Sequence, residues 1–443
     1  MGRLTTRELA SATPATRNRY VDLLRFVSIA LVVLGHWLLA VLGYEDGAFV
    51  GENLLELEPD LQIATWLFQV MPIFFLVGGY TNALSWDSAT RRGEPYGDWL
   101  RARSTRLLRP ALVFLAFWTV LPMLAVAIAL PSSMALVGGR EVSLPLWFLS
   151  VYVLVVAAAP ALVRAHRRFG VTVVVVLAAA TVLTDIAHYG LDLEWIAVAN
   201  YLFVWLAILE LGFLWRDGAL RGVAWTPWAM LAGGAATVIA LVTWLDYPVS
   251  MITLSHADRS NAFPPSLALL ALGVAQTGLV LLLEDGANRW LQRPRVWFAT
   301  ATANSMIMTF YLWNMSAVVL AAVLVFPTGI APQPEPLSAA WWALRPVWIA
   351  LCAVCLLPFL FGFRWAERPV PLTPGRVPGV LSLVGTVLAA AGLAVIAREA
   401  FPVQGEQLLW PGIGVACVVV GAVLLRVDPI APLRRPASDP GIG

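Results

Sequence analysis

Three titratable side chains, Asp22, Arg25 and His36, sit inside an apolar stretch that begins at Tyr20 and runs past Leu42. A charged group within a bilayer costs at least about 2.5–3.5 kcal/mol on insertion scales, so such a group is usually kept for a task. Arg25 and His36 are eleven residues apart. At about 100° per residue this is three turns plus roughly 20°, which puts both on one helix face about 16 Å apart along the axis. Asp22 falls one turn before Arg25 on the same stripe, at ion-pair spacing. If the helix enters the bilayer near Tyr20, Arg25 lies near the headgroups and His36 roughly 24 Å in, past the midplane. There a neutral imidazole can take and return a proton near neutral pH, as general acid–base chemistry requires. For Asp22 and Arg25 a snorkelling interfacial pair is an equal reading. For His36 simple packing is the weaker reading, because the position offers no easy route to water.

These groups need a bilayer-spanning scaffold, and the composition supplies one. Of 443 residues, 60% are apolar and only 13% charged, with 20 tryptophans, against about 25% charged residues in a typical soluble domain. That balance excludes a soluble enzyme, a disordered chain and a nucleic-acid binder. Apolar runs, Pro/Gly breaks and charge clusters place twelve spans near 20–43, 61–84, 107–130, 145–163, 171–189, 193–215, 224–246, 265–284, 299–327, 340–363, 377–397 and 408–426. All 29 basic residues are arginine. With the N-terminus inside, 25 of them fall on inner segments, and the outer loops hold only Arg140, Arg259, Arg345 and Arg398. Such a split follows the positive-inside rule and puts both termini in the cytoplasm. The expected fold class is an all-α polytopic membrane protein of about twelve transmembrane helices. Its parts are a cytoplasmic N-terminal segment (1–19), a ten-helix core (20–370), an appended C-terminal helix pair (371–427) and a disordered cytoplasmic tail (428–443). The arginine-only, Ala/Val/Gly-rich composition hints at a bacterial plasma membrane. Cys352, Cys355 and Cys417 lie in apolar runs and read as helix packers; neither a disulfide framework nor a metal site is expected.

The stretch Tyr20-Val-Asp-Leu-Leu-Arg25, followed by ten residues and His36, resembles the Arg-x10-His signature of the acyltransferase 3 family of integral-membrane acyltransferases. Other blocks agree in order. Met71-Pro-Ile-Phe-Phe-Leu-Val-Gly-Gly-Tyr80 is similar to the family's second-span block, with Gly78 where Ser is common. Arg103-Ser-Thr-Arg106-Leu-Leu-Arg109-Pro110 resembles its basic entry to the third span, and Leu146-Trp147-Phe148-Leu149 its Trp-Phe-Leu motif. Tyr311-Leu312-Trp313-Asn314 resembles the late Tyr-Leu-x-His block, and Glu367-Arg368-Pro369 the Glu-Arg/Lys-Pro that ends the core. Many relatives have His where this chain has Asn314. An Asn can hydrogen-bond but cannot titrate, which leaves His36 as the intramembrane base.

The resemblance implies transfer of an acyl group, often acetyl from acetyl-CoA, to a hydroxyl of a carbohydrate, glycolipid or similar acceptor. No permanently bound cofactor is implied; acyl-CoA is the donor substrate, and membrane lipids and a carbohydrate or lipid-linked acceptor are the other partners. In that scheme His36 is the general base, Arg25 orients the donor or stabilises oxyanion charge, and Asp22 holds Arg25. The donor's phosphates need fixed cations, and Arg103, Arg106 and Arg109 suit them, since guanidinium forks bind phosphate in pairs of hydrogen bonds. For nearby Arg91 and Arg92 plain topology is the better reading. Tyr80, Asn82, Trp147, Tyr311 and Asn314 are candidate cavity residues, with Glu210, Asn304 and Ser305 weaker ones. Asp185 with His188 reads as a solvated helix cap, and His166 as a surface residue. His256, Asp258 and Arg259 occupy an outer loop where an acceptor can be recognised. Two rival classes remain: a twelve-helix secondary transporter, and a lipid-linked-sugar glycosyltransferase using Glu45-Asp46 or Glu56-x-Glu58 of the acidic first outer loop.

Overall fold

The structure is a computed structural model that describes residues 17–127, 132–254, 259–372, 375–401 and 409–434. The N-terminal segment to residue 16, His256, Asp258 and the tail beyond residue 434 lie outside the described residues. Long apolar runs fold as helices because a bilayer offers backbone groups no other partners. Ten helices among the described residues are long and apolar enough to cross a membrane, and two shorter apolar helices, Asn314–Val325 and Leu409–Leu424, accompany them. The protein is an all-α polytopic membrane protein.

The chain divides into two compact units. One comprises Met1–Val32, Glu58–Ser88 and Ala158–Ser305; the other comprises Val33–Leu57, Ala89–Ala157 and Met306–Gly443. In the first, helix Met71–Arg91 crosses helix Asn200–Arg216 at two glycines. A Cβ on Gly79 would stand 2.1 Å from the Leu209 carbonyl oxygen, and one on Gly212 would stand 2.2 Å from that of Leu76. Only hydrogen fits there, as at other close helix crossings in membranes.

Two expectations are corrected in the second unit. The first span ends at Leu39, short of residue 43, and the chain continues as a hairpin of Ala40–Glu45 against Ala48–Asn53. Asp46 and Gly47 make its two-residue turn, with φ of 49° and 82°, and an Asp-Gly pair favours that left-handed geometry. The ninth span is not continuous but consists of Pro294–Asn304, Ile307–Leu312 and Asn314–Val325. At its first break the Asn304 and Ser305 side chains donate to the Thr300 and Thr302 carbonyls, competing with the helix ladder. At the second break Trp313 leaves helical geometry, and its ring stacks on Phe359 at 4.9 Å and Phe363 at 4.0 Å.

The C-terminal pair, Gly379–Glu399 with Leu409–Leu424, is bonded into the second unit. Ser104 Oγ lies 3.1 Å from Thr386 Oγ1, Ser150 donates to the Ala390 carbonyl at 2.7 Å, and Ser382 donates to that of Gly97 at 3.0 Å.

Candidate active site

Helix Arg19–Leu39 carries His36 in its last turn. The ring Nδ1 lies 3.0 Å from Asn314 Oδ1, and the neighbouring Trp37 indole donates to the Asn314 carbonyl at 3.0 Å. Asn314 is fully buried, and its Nδ2 donates to the Tyr311 carbonyl at 2.5 Å. An Asn side chain has one acceptor oxygen and one donor nitrogen. With the nitrogen engaged by Tyr311, the oxygen faces His36, so Nδ1 of the neutral imidazole carries the hydrogen. Nε2 is left with the lone pair. An acceptor on Nδ1 that leaves Nε2 basic is the arrangement by which a histidine base is oriented in catalytic triads. His36 as a residue is half-buried.

Tyr311 anchors this arrangement from below. Its hydroxyl donates to the Pro145 carbonyl at 2.8 Å and its ring meets Phe148 edge-on at 5.4 Å, so the Trp147-Phe148 block supports the segment that presents Asn314. Trp147 is half-buried, 6.2 Å from Phe148 ring to ring. The three arginines on helix Tyr96–Ala127 differ in setting. Arg106 is exposed, Arg103 lies 6.0 Å over the Trp99 ring, and Arg109 is buried with Nη1 on the Arg368 carbonyl at 3.2 Å and Nε without a partner. Arg101 is also buried and donates to the Leu425 and Gly375 carbonyls, both at 2.9 Å.

The remaining expected site residues belong to the first unit. The expected Asp22–Arg25 ion pair does not form. The Asp22 carboxylate instead accepts from Arg17 Nε at 2.7 Å, just before the helix, and the Asp22 carbonyl accepts from Asn304 Nδ2 at 2.8 Å. A first-turn acid meets the residues entering its helix more readily than a partner held one turn up by the backbone. Arg25 is half-buried and makes no ion pair among the described residues. Tyr80 accepts from Asn18 Nδ2 at 3.3 Å and packs on Trp215 at 4.8 Å; Asn82 is buried with Nδ2 unpartnered.

Two further readings are corrected here. His166 is no free surface residue: Nδ1 meets Glu210 at 2.5 Å and Nε2 meets Asp217 at 3.0 Å. Asp185 is no solvated cap. It is buried and accepts from Asn200 Nδ2 at 2.7 Å, the Tyr247 hydroxyl at 2.8 Å and the Leu267 backbone at 2.8 Å. Burial and the Asp185 carboxylate push the Tyr247 hydroxyl well above its ordinary pKa.

The first unit also holds an open cleft of about 510 Å³ lined by Gln62, Asp246, Ser250, Ile252, Leu254 and Arg259. The Arg259 guanidinium lies 4.9 Å over the Tyr189 ring and reaches the Asp246 carbonyl at 3.4 Å. Sequence reasoning noted Arg259 but not the cleft, beside which Asp246 turns the chain at a φ of 53°.

The discontinuous span brings a buried asparagine against a histidine of the first membrane helix. A family model described as an acyltransferase domain matches residues 18–359, and the chain belongs to that family, the acyltransferase 3 family. The protein is an integral membrane acyltransferase. No curated protein and no solved structure matches the chain.

Proposed function

We propose that the protein transfers an acyl group, acetyl in the first instance, from cytoplasmic acyl-CoA to a hydroxyl of a carbohydrate, glycolipid or similar acceptor, with His36 as general base. The observation that carries this is the bond from His36 Nδ1 to Asn314 Oδ1, which leaves Nε2 free to accept a proton. Nε2 takes the proton of the acceptor hydroxyl as its oxygen attacks the thioester carbonyl carbon. The new C–O bond forms, the C–S bond breaks, and the CoA thiolate leaves with the proton that His36 returns. Arg25 serves the donor or the oxyanion, now without Asp22 as its anchor. Arg103, Arg106 and Arg109, with Arg101 beside them, favour an anionic donor. The cleft around Asp246 and Arg259 suits the hydroxylated part of the acceptor, since a carboxylate, a guanidinium and an aromatic face together match a sugar's polar rim and apolar faces. The arginine distribution favours a plasma membrane setting with both termini in the cytoplasm and this cleft on the opposite side.

The test follows labelled acetyl from acetyl-CoA into the membrane lipid and glycan fractions, comparing wild type with His36→Ala. Wild type is expected to label one of these fractions and His36→Ala to lose at least about 100-fold in rate while staying in the membrane. Full transfer by His36→Ala sinks the base. A wild type that labels neither fraction sinks the acceptor class.

A further inference from the structure

Helix Ala339–Phe363 and the turn Arg364–Glu367 that follows it carry a charged residue near each end, and each bonds a segment adjoining one member of the His36–Asn314 pair. Arg345 is only 8% exposed. Its guanidinium lies 3.6 Å from the Trp341 ring centre, Nη1 donates to the Ala40 carbonyl at 3.3 Å, and Nε is buried without a partner. No carboxylate among the described residues lies within ion-pair distance of it. Ala40 directly follows the helix that carries His36 and is four residues past the imidazole. Ala40 opens the hairpin strand, so a cation on its carbonyl holds the chain where the helix of His36 passes into the hairpin.

Glu367 does the reverse at the opposite end. Its carboxylate accepts from the Met308 backbone at 3.1 Å, the Thr309 backbone at 2.7 Å and the Thr309 hydroxyl at 2.5 Å. These are first-turn N–H groups of Ile307–Leu312, which have no partners inside that helix, and bonds from them to an ionised carboxylate are among the stronger ones. The same short helix carries Tyr311, whose carbonyl fixes the Asn314 amide.

Stability alone does not account for this pair of charges. A guanidinium in an apolar span costs insertion energy, and a buried charge replaced by a well-packed apolar side chain is often neutral or stabilising. What a charge supplies here and a leucine cannot is a directed hold on particular backbone groups. The geometry points to Arg345 and Glu367 as positioning residues for acyl transfer: a single span holds the chain directly after the helix of the base and the N-terminal end of the short helix whose Tyr311 carbonyl fixes the orienting amide. The break of the ninth span into Ile307–Leu312 and Asn314–Val325 makes the second hold necessary, because neither piece is carried by a continuous helix.

This inference rests on the reading of His36 as base, and the experiment separates the two. Acetyl transfer is measured for the full-length protein in membranes with Arg345→Gln, Arg345→Lys, Glu367→Gln and His36→Ala, alongside thermal stability. Residues supporting a catalytic group typically change activity by about 10–100-fold when replaced. Arg345→Gln and Glu367→Gln are each expected to lower kcat by about that factor, with KM for acetyl-CoA within about twofold of wild type. Arg345→Lys restores most of kcat, because an ammonium still donates to the Ala40 carbonyl. A kcat within about twofold of wild type in both Gln variants overturns the inference. So does a loss of kcat that follows melting temperature and is not rescued by Lys. Transfer by His36→Ala overturns the base itself, whatever the other variants do.

Discussion

In the first unit Asp87 receives both Arg167 and Arg216, His166 stands between Glu210 and Asp217, and Arg221 faces Glu284 and Asp285. In the second unit the buried arginines Arg101, Arg109 and Arg345 instead point at the carbonyls of Leu425, Gly375, Arg368 and Ala40. The ion pairs of the second unit among the described residues join near neighbours in sequence: Arg92 with Glu94, Arg398 with Glu399 and Arg434 with Asp428. A carboxylate cancels a guanidinium charge, whereas a carbonyl only solvates it. The first unit therefore balances these charges internally, with Arg25 and Arg259 making no ion pair among the described residues. In the second unit the buried guanidinium groups of Arg109 and Arg345 are instead held by carbonyls and, for Arg345, an aromatic face.

The sharpest way to break this contrast is at Asp87. Its carboxylate is 11% exposed and ties Arg167 to Arg216 across helix ends far apart in sequence. Asp87→Ala leaves a half-exposed Arg167 and a more covered Arg216 without their carboxylate, a loss of about 1–3 kcal/mol once solvent screening of Arg167 is counted. A lowered melting temperature is expected, with the folded fraction keeping its KM for acetyl-CoA. Unchanged stability with a raised donor KM would instead move the donor's charge partners into the first unit.

A comparable effect is expected at Asn314, which defines the second unit's neutral way of holding a base. Asn314→Leu removes the acceptor for the His36 Nδ1 hydrogen, frees the ring to rotate and leaves the Trp37 bond to the backbone in place. A loss of about 10–100-fold in kcat follows, equivalent to about 1.4–2.7 kcal/mol of barrier. Asn314→His is expected to recover part of it, because a neutral imidazole can accept the same hydrogen. Equal activity in Asn314→Leu and wild type would show that His36 needs no orienting partner.

What the sequence made legible follows from which interactions are local. Apolar runs longer than a bilayer is thick identify the spans, and the Arg-x10-His spacing puts Arg25 and His36 on one helix. The break at Ser305 to Trp313 was not legible, since none of those residues is Gly or Pro; it arises from side chains bonding their own backbone and from Trp313 stacking on Phe359 and Phe363. The partners of buried charges escaped for a related reason. His166 meets Glu210 at a separation of 44 residues, Asp185 meets Leu267 at 82, and His36 meets Asn314 at 278. No periodicity relates positions so distant. Asp22 was misjudged in the opposite sense: spacing along a helix favoured Arg25, but Arg17, just ahead of the helix, takes its carboxylate instead.

Arg259 stands outside the first unit's pattern and marks where that unit faces something other than itself. Its guanidinium has an aromatic face and one long bond to a carbonyl, at 3.4 Å, but no carboxylate partner among the described residues. The Asp246 carboxylate lines the same cleft and makes no ion pair with it. Both are exposed beside an open cleft, where their charges are available to a ligand. Arg259→Gln keeps the size and some hydrogen bonding but loses the charge. Its expected effect is the mildest, about 3–10-fold on KM for the acceptor, corresponding to one hydrogen bond. Donor KM should not move if Arg103, Arg106 and Arg109 hold the donor's phosphates as proposed. Titrating the acceptor at saturating acetyl-CoA measures this directly. An unaltered acceptor KM would make the cleft a solvated loop, and a raised donor KM would assign its charge to the donor after all.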